Sequence, residues 1–487
     1  MSLILIPLFP LAAVLLSLLP VGKRFAPSVT LLAAAGSFAV SVAGALRVVA
    51  QQHVLAIPGW VELDGLGAIV VLLITFVSLM AALFSWGYIG AHESAPGRIR
   101  SYFAHFNLFT FSLALVPVLA EPALVWIAIE FTAVFSVLLV AFENTPSALE
   151  AAWKFIALMF LGAAIALLGF FVLFWAQQRS GGGHYSWDGL RAVASHMPPV
   201  LVVAAFVLVL VGFGVKVGFV PLHTWLPDAH SQAPSPVCAL LSGVKTTTAL
   251  YVILRVAALL PPSVGTGVWM QVIGLLSVGV AAFLLLQVRD YKRMFAYSTV
   301  EHMGVIFVAA GLGAPGGTAG AVMQMISHSL TKSFCFFAAG AALLVLGTRE
   351  IASVRGLLRT SPVAGAALLV GALAIGGAPP FAVFLSEFSI FRAGLAQGDY
   401  LATALLALFI IVAFFGIMLQ VNRMVFGPPP EHPAPAHGHA APALPATCVL
   451  TLVLAAIPVL ALGVYQPEAL HRLVTLAAAT LVPVGSP

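Results

Sequence analysis

Five ionisable residues lie within segments of the chain that are otherwise strongly apolar. They are three lysines and two glutamates, Lys216, Lys245, Lys332, Glu130 and Glu387. A charge near the centre of a bilayer costs about 2.5–3.5 kcal/mol on insertion scales, so it persists where a partner or a water-filled path receives it. Lysine and glutamate both gain and lose protons, and the chemistry these residues indicate is proton transfer.

The composition places these residues in an integral membrane protein. Of 487 residues, 61% are hydrophobic and 8% are charged, whereas a soluble domain carries about 25% charged residues. Apolar runs of the roughly 20 residues that cross a bilayer recur along the whole chain. We predict an all-α membrane fold with about fourteen transmembrane helices, near residues 3–21, 28–50, 66–90, 106–121, 123–142, 153–177, 198–220, 233–258, 267–287, 298–313, 318–346, 362–383, 401–425 and 446–465.

The net charge is +5, and the basic residues are spread thinly along the loops. Their distribution predicts the membrane topology and does not indicate nucleic-acid binding. With the N-terminus outside, the inward loops hold most of them, so the positive-inside rule predicts that both termini lie outside. The basic residues of the inward loops are Lys23, Arg24, Arg98, Arg100, Arg289, Lys292, Arg293, Arg349, Arg355, Arg359 and Arg423.

The three cysteines, Cys238, Cys335 and Cys448, are scattered and indicate neither a disulfide framework nor a metal site.

The spans divide into successive groups without a soluble domain between them. The segment 427–445 is rich in proline, which predicts a stiff connector. Its His432, His437 and His439 could bind a metal only loosely, because nothing else in the segment fixes a geometry. The predicted divisions are helices 1–3 in 1–105, helices 4–8 in 106–260, helices 9–13 in 261–426, the Pro/His-rich loop 427–445 and a C-terminal helix in 446–487.

Two segments interrupt the helical pattern at membrane depth, GFVPLHTWLPD (218–228) and GAPPFAVFLSE (377–387). Aligned without gaps, they match Gly218 with Gly377 and Pro221 with Pro380. The first lies in predicted span seven and the second in span twelve, and five spans per unit would invert one unit relative to the other. Broken helices in inverted repeats are typical of transporters. The alternative is a pair of ordinary proline kinks.

Glu130 and Lys216 are the strongest candidates for a functional pair. Each is the isolated charge of a long apolar run, and Lys216 comes just before the first break. Burial lowers the pKa of a lysine and a nearby carboxylate raises it, so such a pair could exchange a proton. The alternative is a static ion pair that only holds two helices together.

The other buried residues extend this pair into a polar row. Lys245 follows one span later among Ser242 and Thr246–Thr248, whose hydroxyls could hold water or share a proton. Gln324, His328 and Lys332 are spaced four apart and share one helix face. Glu387 would end the row near the opposite surface.

Several polar residues support weaker predictions. Asp228 and His230 precede Pro234 and are expected to cap the helix that begins there. Glu301 and His302 are expected to open a span, as an anchor or as a proton entry point. For His223 the sequence leaves two roles open, packing and proton transfer.

Four runs resemble the antiporter-like, proton-conducting membrane subunits of respiratory complex I, multisubunit sodium/proton antiporters and membrane-bound hydrogenases. They are KVGFVPLHTWLPDAHSQAPSPVCALLSGVKTTTALYVILR (216–255), YSTVEHMG (297–304), HSLTKSFCFFAAG (328–340) and GGAPPFAVFLSEF (376–388). The motifs at 301–304 and 386–388 are most similar to component F of hydrogenase-4. The resemblance implies fourteen helices with two inverted five-helix repeats and breaks in helices 7 and 12.

The resemblance also implies roles for individual residues. Glu130 and Lys216 match the family's helix-five carboxylate and helix-seven lysine, and Lys245 lies within a residue or two of a helix-eight lysine. His328 and Lys332 match a helix-eleven pair. Gln324 stands where some members have histidine, and Glu387 matches the exit position. From their own sequence context, and not from the resemblance, His223, Asp228, Glu301, His302 and Gln324 are possible residues of proton entry or support.

The implied function is that of a proton-translocating subunit of a redox-driven complex of the formate hydrogenlyase type, in a bacterial or archaeal cell membrane. Alternatives are a cation/proton antiporter subunit, part of a proton-driven inorganic carbon uptake system, or a structural subunit that does not conduct. The sequence has no CxxC pair, no Walker sequence, no haem-attachment motif and no GxGxxG that opens a helix after a strand. We therefore expect no cofactor in this chain, and partners that comprise other membrane subunits and a peripheral arm with Fe–S and NiFe centres.

Overall fold

The computed structural model describes residues 2–261, 264–313, 316–428 and 443–484. Within these ranges the chain is predominantly helical, with a single two-stranded sheet. Eleven helices are long and apolar enough to cross a bilayer, and three shorter apolar helices accompany them. The predicted all-α membrane fold is confirmed, while the count of fourteen crossings and the five-helix repeats stay predictions.

The N-terminal part contains two helices, an antiparallel hairpin that the sequence did not reveal, and a third helix. Asp64 caps this third helix by accepting a hydrogen bond from Gly67 N at 2.8 Å, and its other oxygen lies 2.7 Å from Arg255 Nη2. This ion pair ties the hairpin end to a distant helix. The elements are α1 (Leu5–Ser17), α2 (Phe25–Gln51), β1 (Val54–Ile57), β2 (Val61–Leu63) and α3 (Gly65–His92).

The next part contains the first helix break and a π-helical turn. The break separates α8 from α9: Gly218 adopts φ +89°, and the peptide bond before Pro221 is cis. The π-turn spans Leu241–Lys245 and joins two α-helical pieces of one membrane-crossing helix. The elements are α4 (Pro96–Leu115), α5 (Pro122–Val140), α6 (Pro146–Arg179), α7 (Trp187–Val193), α8 (Pro199–Val217), α9 (Trp225–Gln232), α10 (Ser235–Leu240) and α11 (Thr246–Ala257).

The following part contains the second break, between α16 and α17. Gly377 has φ +75°, and the Pro379–Pro380 bond is cis. Both breaks therefore pass through a glycine with a left-handed backbone, which residues with a Cβ rarely adopt. The elements are α12 (Thr266–Leu285), α13 (Tyr291–Leu312), α14 (Gly316–Leu346), α15 (Leu357–Thr360), α16 (Pro362–Ile375), α17 (Ala382–Gln397) and α18 (Tyr400–Phe426).

The C-terminal segment 446–487, predicted as one helix, contains two helices in its described part, α19 (Ala446–Ala461) and α20 (Glu468–Thr480). Helix α20 packs against the start of α3, where a Cβ on Gly65 would lie 2.7 Å from the backbone of Ala477. Most of the loop 427–445 lies outside the described residues. This includes His432, His437 and His439, for which a loose metal site was considered.

Two helix starts lie well before the predicted boundaries, and predicted span 362–383 ends eight residues early, at Ile375 of α16. Helix α4 begins at Pro96, ten residues before the predicted 106, and α13 begins at Tyr291, seven before 298. Their first turns are rich in polar residues, which lower the local hydropathy. In α13 the start is fixed by Asp290, whose side chain accepts hydrogen bonds from the backbone N–H groups of Lys292 and Arg293.

The protein interior is built around α10–α11, α13 and α14. The most apolar 18-residue stretch of the α10–α11 span is completely buried. In the most apolar 18-residue stretch of α18, only 28% of the residues are buried. A helix that is apolar on all sides yet buried must pack against other helices, while α18 presents most of its surface outward. The central helices therefore position the buried polar residues, and α18 lies at the periphery.

Glycines allow α12 and α13 to approach closely. A Cβ on Gly274 would lie 2.7 Å from Gly304 O, and one on Gly304 would lie 2.6 Å from Gly274 O. Small residues at helix crossings are the usual means of close packing in membranes, where lipid offers no hydrophobic force between helices. The pair fixes the distance between the helix that carries Glu301 and its neighbour.

We predict that Gly274→Ala lowers the thermal unfolding temperature of the purified chain, because the added methyl group must separate α12 from α13. Overpacking of this kind costs about 1–3 kcal/mol. The matched control is Gly90→Ala in α3, where an added Cβ meets no atom within 4 Å. Equal unfolding temperatures for the two variants would contradict the proposed close contact.

Candidate functional site

Glu130 and Lys216 form a buried ion pair between α5 and α8. Glu130 Oε1 lies 2.7 Å from Lys216 Nζ, and the two side chains are 13% and 1% exposed. Lys216 occupies the last turn of α8, because Gly218 ends that helix. The negative end of a helix dipole favours a cation at this position. The structure thus brings together the two residues that the sequence suggested as a pair.

Lys245 lies in an aromatic cage, which the sequence did not predict. Its Nζ is 4.0 Å from the ring centroid of Phe155 and 5.1 Å from that of Trp225, and 3.8 Å from Met159 Sδ. Aromatic faces attract a cation through their negative quadrupole. Among the described residues, the contacts of this amino group are therefore with two rings and a sulfur and not with an oxygen.

The neighbouring hydroxyls are engaged elsewhere. The side chains of Thr246, Thr247 and Thr248 donate to the carbonyls four residues earlier, at 2.7, 3.1 and 2.6 Å. Such back-bonding satisfies a hydroxyl within its own helix. These local hydrogen bonds use the donor of each hydroxyl and leave its oxygen able to accept, so a role in holding water or sharing a proton stays a prediction.

Trp225 connects the cage to the ion pair. Its indole Nε1 donates to Val215 O at 2.7 Å, and Val215 is the residue before Lys216. The ring also packs edge-on against Phe155, with centroids 5.0 Å apart. One wall of the Lys245 cage is therefore attached to the helix turn that carries Lys216.

Lys332 is bound by oxygens of α13. Its Nζ donates to Phe295 O at 3.1 Å and to Ser298 Oγ, and the side chain is fully buried. His328, one turn earlier on α14, faces Ser242 O at 3.2 Å. The described structure has no hydrogen bond between His328 and Lys332, so these two members of the predicted stripe contact different helices.

His302 takes part in a directional series of hydrogen bonds. Its Nε2 lies 2.9 Å from Ile375 O and must donate to this carbonyl, so Nδ1 accepts from Gln324 Nε2 at 2.9 Å. Ser386 in turn donates to Gln324 Oε1. Ile375 is the last residue of α16, so the second helix break leaves its carbonyl available to His302.

Two buried carboxylates lie near this series. Glu301 Oε2 is 3.9 Å from His302 Nε2, and both residues lie in the middle of α13. The prediction that they open a span is wrong, because α13 begins ten residues before Glu301. Glu387 is 5% exposed and lies so close to Gly377 that a Cβ there would overlap its carboxylate.

Glu387 also lines a largely apolar cavity of about 430 Å³. The cavity is bounded by the backbone of the second break and by aromatic side chains of α17 and α18. Glu387 thus occupies the place where the break opens a space beside the helix bundle. These lining residues include Gly376, Gly377, Phe384, Phe388 and Phe414.

Asp228 is an ion-pairing residue within α9. Its Oδ1 lies 2.6 Å from Arg293 Nη2 and its Oδ2 lies 3.2 Å from Lys154 Nζ. Helix α10 begins with Pro234 as N-cap residue and has no side-chain cap. The capping prediction for Asp228 and His230 is therefore wrong. Helix-start signals are local, and they do not reveal that Asp228 pairs with Arg293, which lies 65 positions later in the chain.

His230 and His223 lie at the two ends of the segment that follows the first break. His230 is fully buried, and its Nδ1 lies 2.7 Å from Leu226 O, within the same helix. His223 lies in the turn of the break, with its ring centroid 6.5 Å from that of Tyr297. Neither contacts the Glu130–Lys216 pair among the described contacts.

Sequence reasoning missed the residues that surround the lysines. Phe155 and Met159 are one turn apart on α6, but nothing in that apolar helix distinguishes them from lipid-facing residues. Trp225 belongs to the interrupted segment 218–228, which was the only available signal. Ser298 is the first residue of the predicted span 298–313, and nothing in the sequence marks it as a neighbour of Lys332.

Comparisons with known proteins show which membrane proteins this chain is similar to. A family profile described as "NADH:quinone oxidoreductase/Mrp antiporter, TM" matches residues 121–415, and one described as "NADH-Ubiquinone oxidoreductase (complex I), chain 5 N-terminus" matches residues 54–100. A hydrogenase-4 component F homolog of Methylacidiphilum infernorum is 39% identical over 378 residues, which cover 75% of this chain and 79% of the relative.

Two further proteins extend the comparison. Hydrogenase-4 component B of Escherichia coli is 29% identical over 67% of this chain, and the match spans half of its length. A chain of the membrane-bound sulfane sulfur reductase, an archaeal respiratory membrane complex, superposes with a TM-score of 0.86 at 25% identity, covering 99% of this chain and 98% of that one. The fold is therefore similar over almost its whole length.

We predict that Gln324→Met lowers the thermal unfolding temperature, because it leaves the buried Nδ1 of His302 without its donor. An unsatisfied buried polar atom costs about 1–3 kcal/mol. The matched control is Gln287→Met at an exposed position. If both variants unfold at the temperature of the unmodified chain, the hydrogen-bond series contributes nothing to stability.

Proposed function

Because the chain belongs to the NADH:quinone oxidoreductase/Mrp antiporter family of membrane proteins, we propose that it is a proton-translocating, antiporter-like subunit of a larger membrane complex. The observation that carries this proposal is the Glu130–Lys216 ion pair, buried at the end of a broken helix. A lysine with a carboxylate partner at 2.7 Å can pass a proton to it and recover one. The pair is therefore the central exchange point.

The remaining buried groups supply a route. Protons would reach the pair Glu130–Lys216, pass Lys245, continue along His328 and Lys332, and leave at Glu387. In support of this order, the Trp225 ring contacts Lys245, and its indole N–H donates to the turn that carries Lys216. His328 faces the π-turn that ends at Lys245.

Further residues would support the second half of the route. Glu301, His302 and Gln324 lie between the His328 region and the break beside Glu387, as judged from the hydrogen bonds of His302 and Ser386. His223 and Asp228 lie on the segment after the first break and would serve proton entry from that side. Asp228 has this role only if its ion pairs with Arg293 and Lys154 open.

The two halves 106–260 and 261–426 are proposed as inverted repeats, preceded by 1–105 and followed by the loop 427–445 and the segment 446–487. The support is the correspondence of the breaks, each with a left-handed glycine just after the first helical piece. We also propose that the chain resides in a bacterial or archaeal cell membrane with both termini outside, because basic residues concentrate in the opposite loops.

The driving energy would come from partner subunits. Moving one charge across a membrane costs about 2.3 kcal/mol per 100 mV. Because the relatives are named as components of hydrogenase-4 and of a respiratory complex, we propose that the partners are further membrane subunits and a peripheral redox arm with Fe–S and NiFe centres. Membrane lipid would surround the remaining surface.

We predict that Lys216→Met reduces proton uptake to background when the whole complex is reconstituted in vesicles with a pH-sensitive dye. Methionine preserves the length of the side chain but removes the proton-binding group. Lys23→Met, in an exposed loop, is the matched control and should leave uptake unchanged. Uptake per intact complex that equals that of the unmodified protein would overturn the assignment and favour the static ion pair.

Affinity purification in a mild detergent tests the partner proposal separately. We expect other membrane subunits and iron-containing proteins to copurify with this chain. Mass spectrometry of the purified material and its iron content are the measurements. A chain that purifies alone and exchanges protons in vesicles without partners would instead be a self-sufficient transporter.

A further inference from the structure

A second cluster of ionisable side chains lies apart from the buried row, at the hairpin. This outer cluster consists of His53, Glu62 and Asp188. His53 Nε2 lies 3.8 Å from Glu62 Oε2, and His53 Nδ1 lies 3.8 Å from Asp188 Oδ2. One donor atom can be taken from each residue such that all three lie within 4.8 Å of one another. Three separate segments of the chain therefore converge here.

Each segment holds its side chain for a clear local reason. Glu62 lies on β2 opposite Leu55 of β1, and its side chain points inward and is only 10% exposed. His53 immediately precedes β1. Asp188 is the second residue of α7, whose start is capped by Ser186 Oγ, which accepts from Gly189 N at 3.1 Å. The hairpin thus supplies two fixed groups and α7 a third.

The buried carboxylate of Glu62 has no hydrogen bond to any described residue. Its nearest charged neighbour is His53 Nε2, and 3.8 Å is too long for a hydrogen bond. That nitrogen is itself buried and has no hydrogen-bond partner among the described residues. Burying a polar atom without a partner is costly, and this nitrogen faces the Glu62 carboxylate across the gap.

The electrostatics of the cluster also favour an additional cation. The carboxylates of Glu62 and Asp188 lie close together, and a nearby cation is Arg255. Arg255 is already paired with Asp64 at 2.7 Å. A cation between the two carboxylates would relieve the repulsion between them.

We propose that the outer cluster is a binding site for a divalent transition-metal ion, with Zn²⁺ as the best match. One imidazole nitrogen and two carboxylate oxygens form a set that zinc binds at about 2.0–2.2 Å. Calcium and magnesium prefer oxygen ligands only. The ligands are His53 Nε2, Glu62 and Asp188, and water completes the tetrahedron.

The geometry requires a small approach of His53 and Glu62 and a larger turn of Asp188. Ligands of a tetrahedral zinc ion lie about 3.3 Å apart, so His53 Nε2 and Glu62 Oε2 need to approach by a few tenths of an ångström. Asp188 now faces the other nitrogen of His53, but its side chain is 67% exposed and can turn toward the ion. Binding would join the hairpin to α7 and restrain the loop between α6 and α8.

The test measures zinc binding to the full chain in detergent, purified without a polyhistidine tag. The starting variant carries His432→Ala, His437→Ala and His439→Ala, so that the loop histidines do not contribute. Competition with a fluorescent zinc indicator gives the dissociation constant. We expect His53→Ala to weaken binding by about tenfold or more, whereas the exposed His471→Ala should have no effect.

Two further measurements keep folding and coordination apart. Size-exclusion profiles and unfolding temperatures without metal establish that His53→Ala folds. Cobalt substitution should give the strong visible absorption of a tetrahedral site, and Glu62→Gln should remove it. Equal zinc affinity of the starting variant and its His53→Ala derivative, or no saturable binding by the starting variant below millimolar zinc, would overturn the proposal.

Discussion

The structure depends on the need to compensate ammonium groups that are buried in a helix bundle within a lipid bilayer. Three lysines meet this need in three different ways. Lys216 has a carboxylate at 2.7 Å, Lys245 has two aromatic faces and a thioether, and Lys332 has a backbone carbonyl and a hydroxyl. An uncompensated charge would cost several kcal/mol. The packing of α5, α6, α8, α13 and α14 is therefore constrained by what each lysine requires.

Interruptions of the helices free backbone groups that would be hydrogen-bonded within a continuous helix. The end of α8 at Gly218 places Lys216 in a last helical turn, where the dipole favours a cation. The end of α16 leaves the carbonyl of Ile375 free to accept from His302. Irregular backbone at membrane depth is tolerated where protein encloses it or where it lines a cavity. Gly218 is buried and Gly377 lines the cavity beside Glu387, whereas Pro221 and Pro380 are exposed. The breaks thus connect backbone geometry to the buried polar row.

Features that depend on neighbouring residues in the sequence could be predicted, whereas contacts between distant segments could not. Glu130 and Lys216 were identifiable because each stands alone in an apolar run, and the breaks because glycine and proline act locally. The aromatic cage of Lys245 was not predictable, since Phe155 and Trp225 come together only when α6 packs against α9. Asp228 was misassigned for the same reason: its partner Arg293 lies on another helix. Helix starts at Pro96 and Tyr291 were placed too late because polar first turns resemble loops in hydropathy.

The three lysine environments also imply that the lysines are not interchangeable. The carboxylate beside Lys216 can accept its proton, whereas the rings around Lys245 attract a cation but have no lone pair directed at it. A proton that leaves Lys245 therefore needs an acceptor brought to it by water or by movement of the cage. Trp225 forms one wall of that cage and donates to Val215 O. Any displacement of the last turn of α8 consequently alters the cage, so the state of the Glu130–Lys216 pair and the surroundings of Lys245 are mechanically connected.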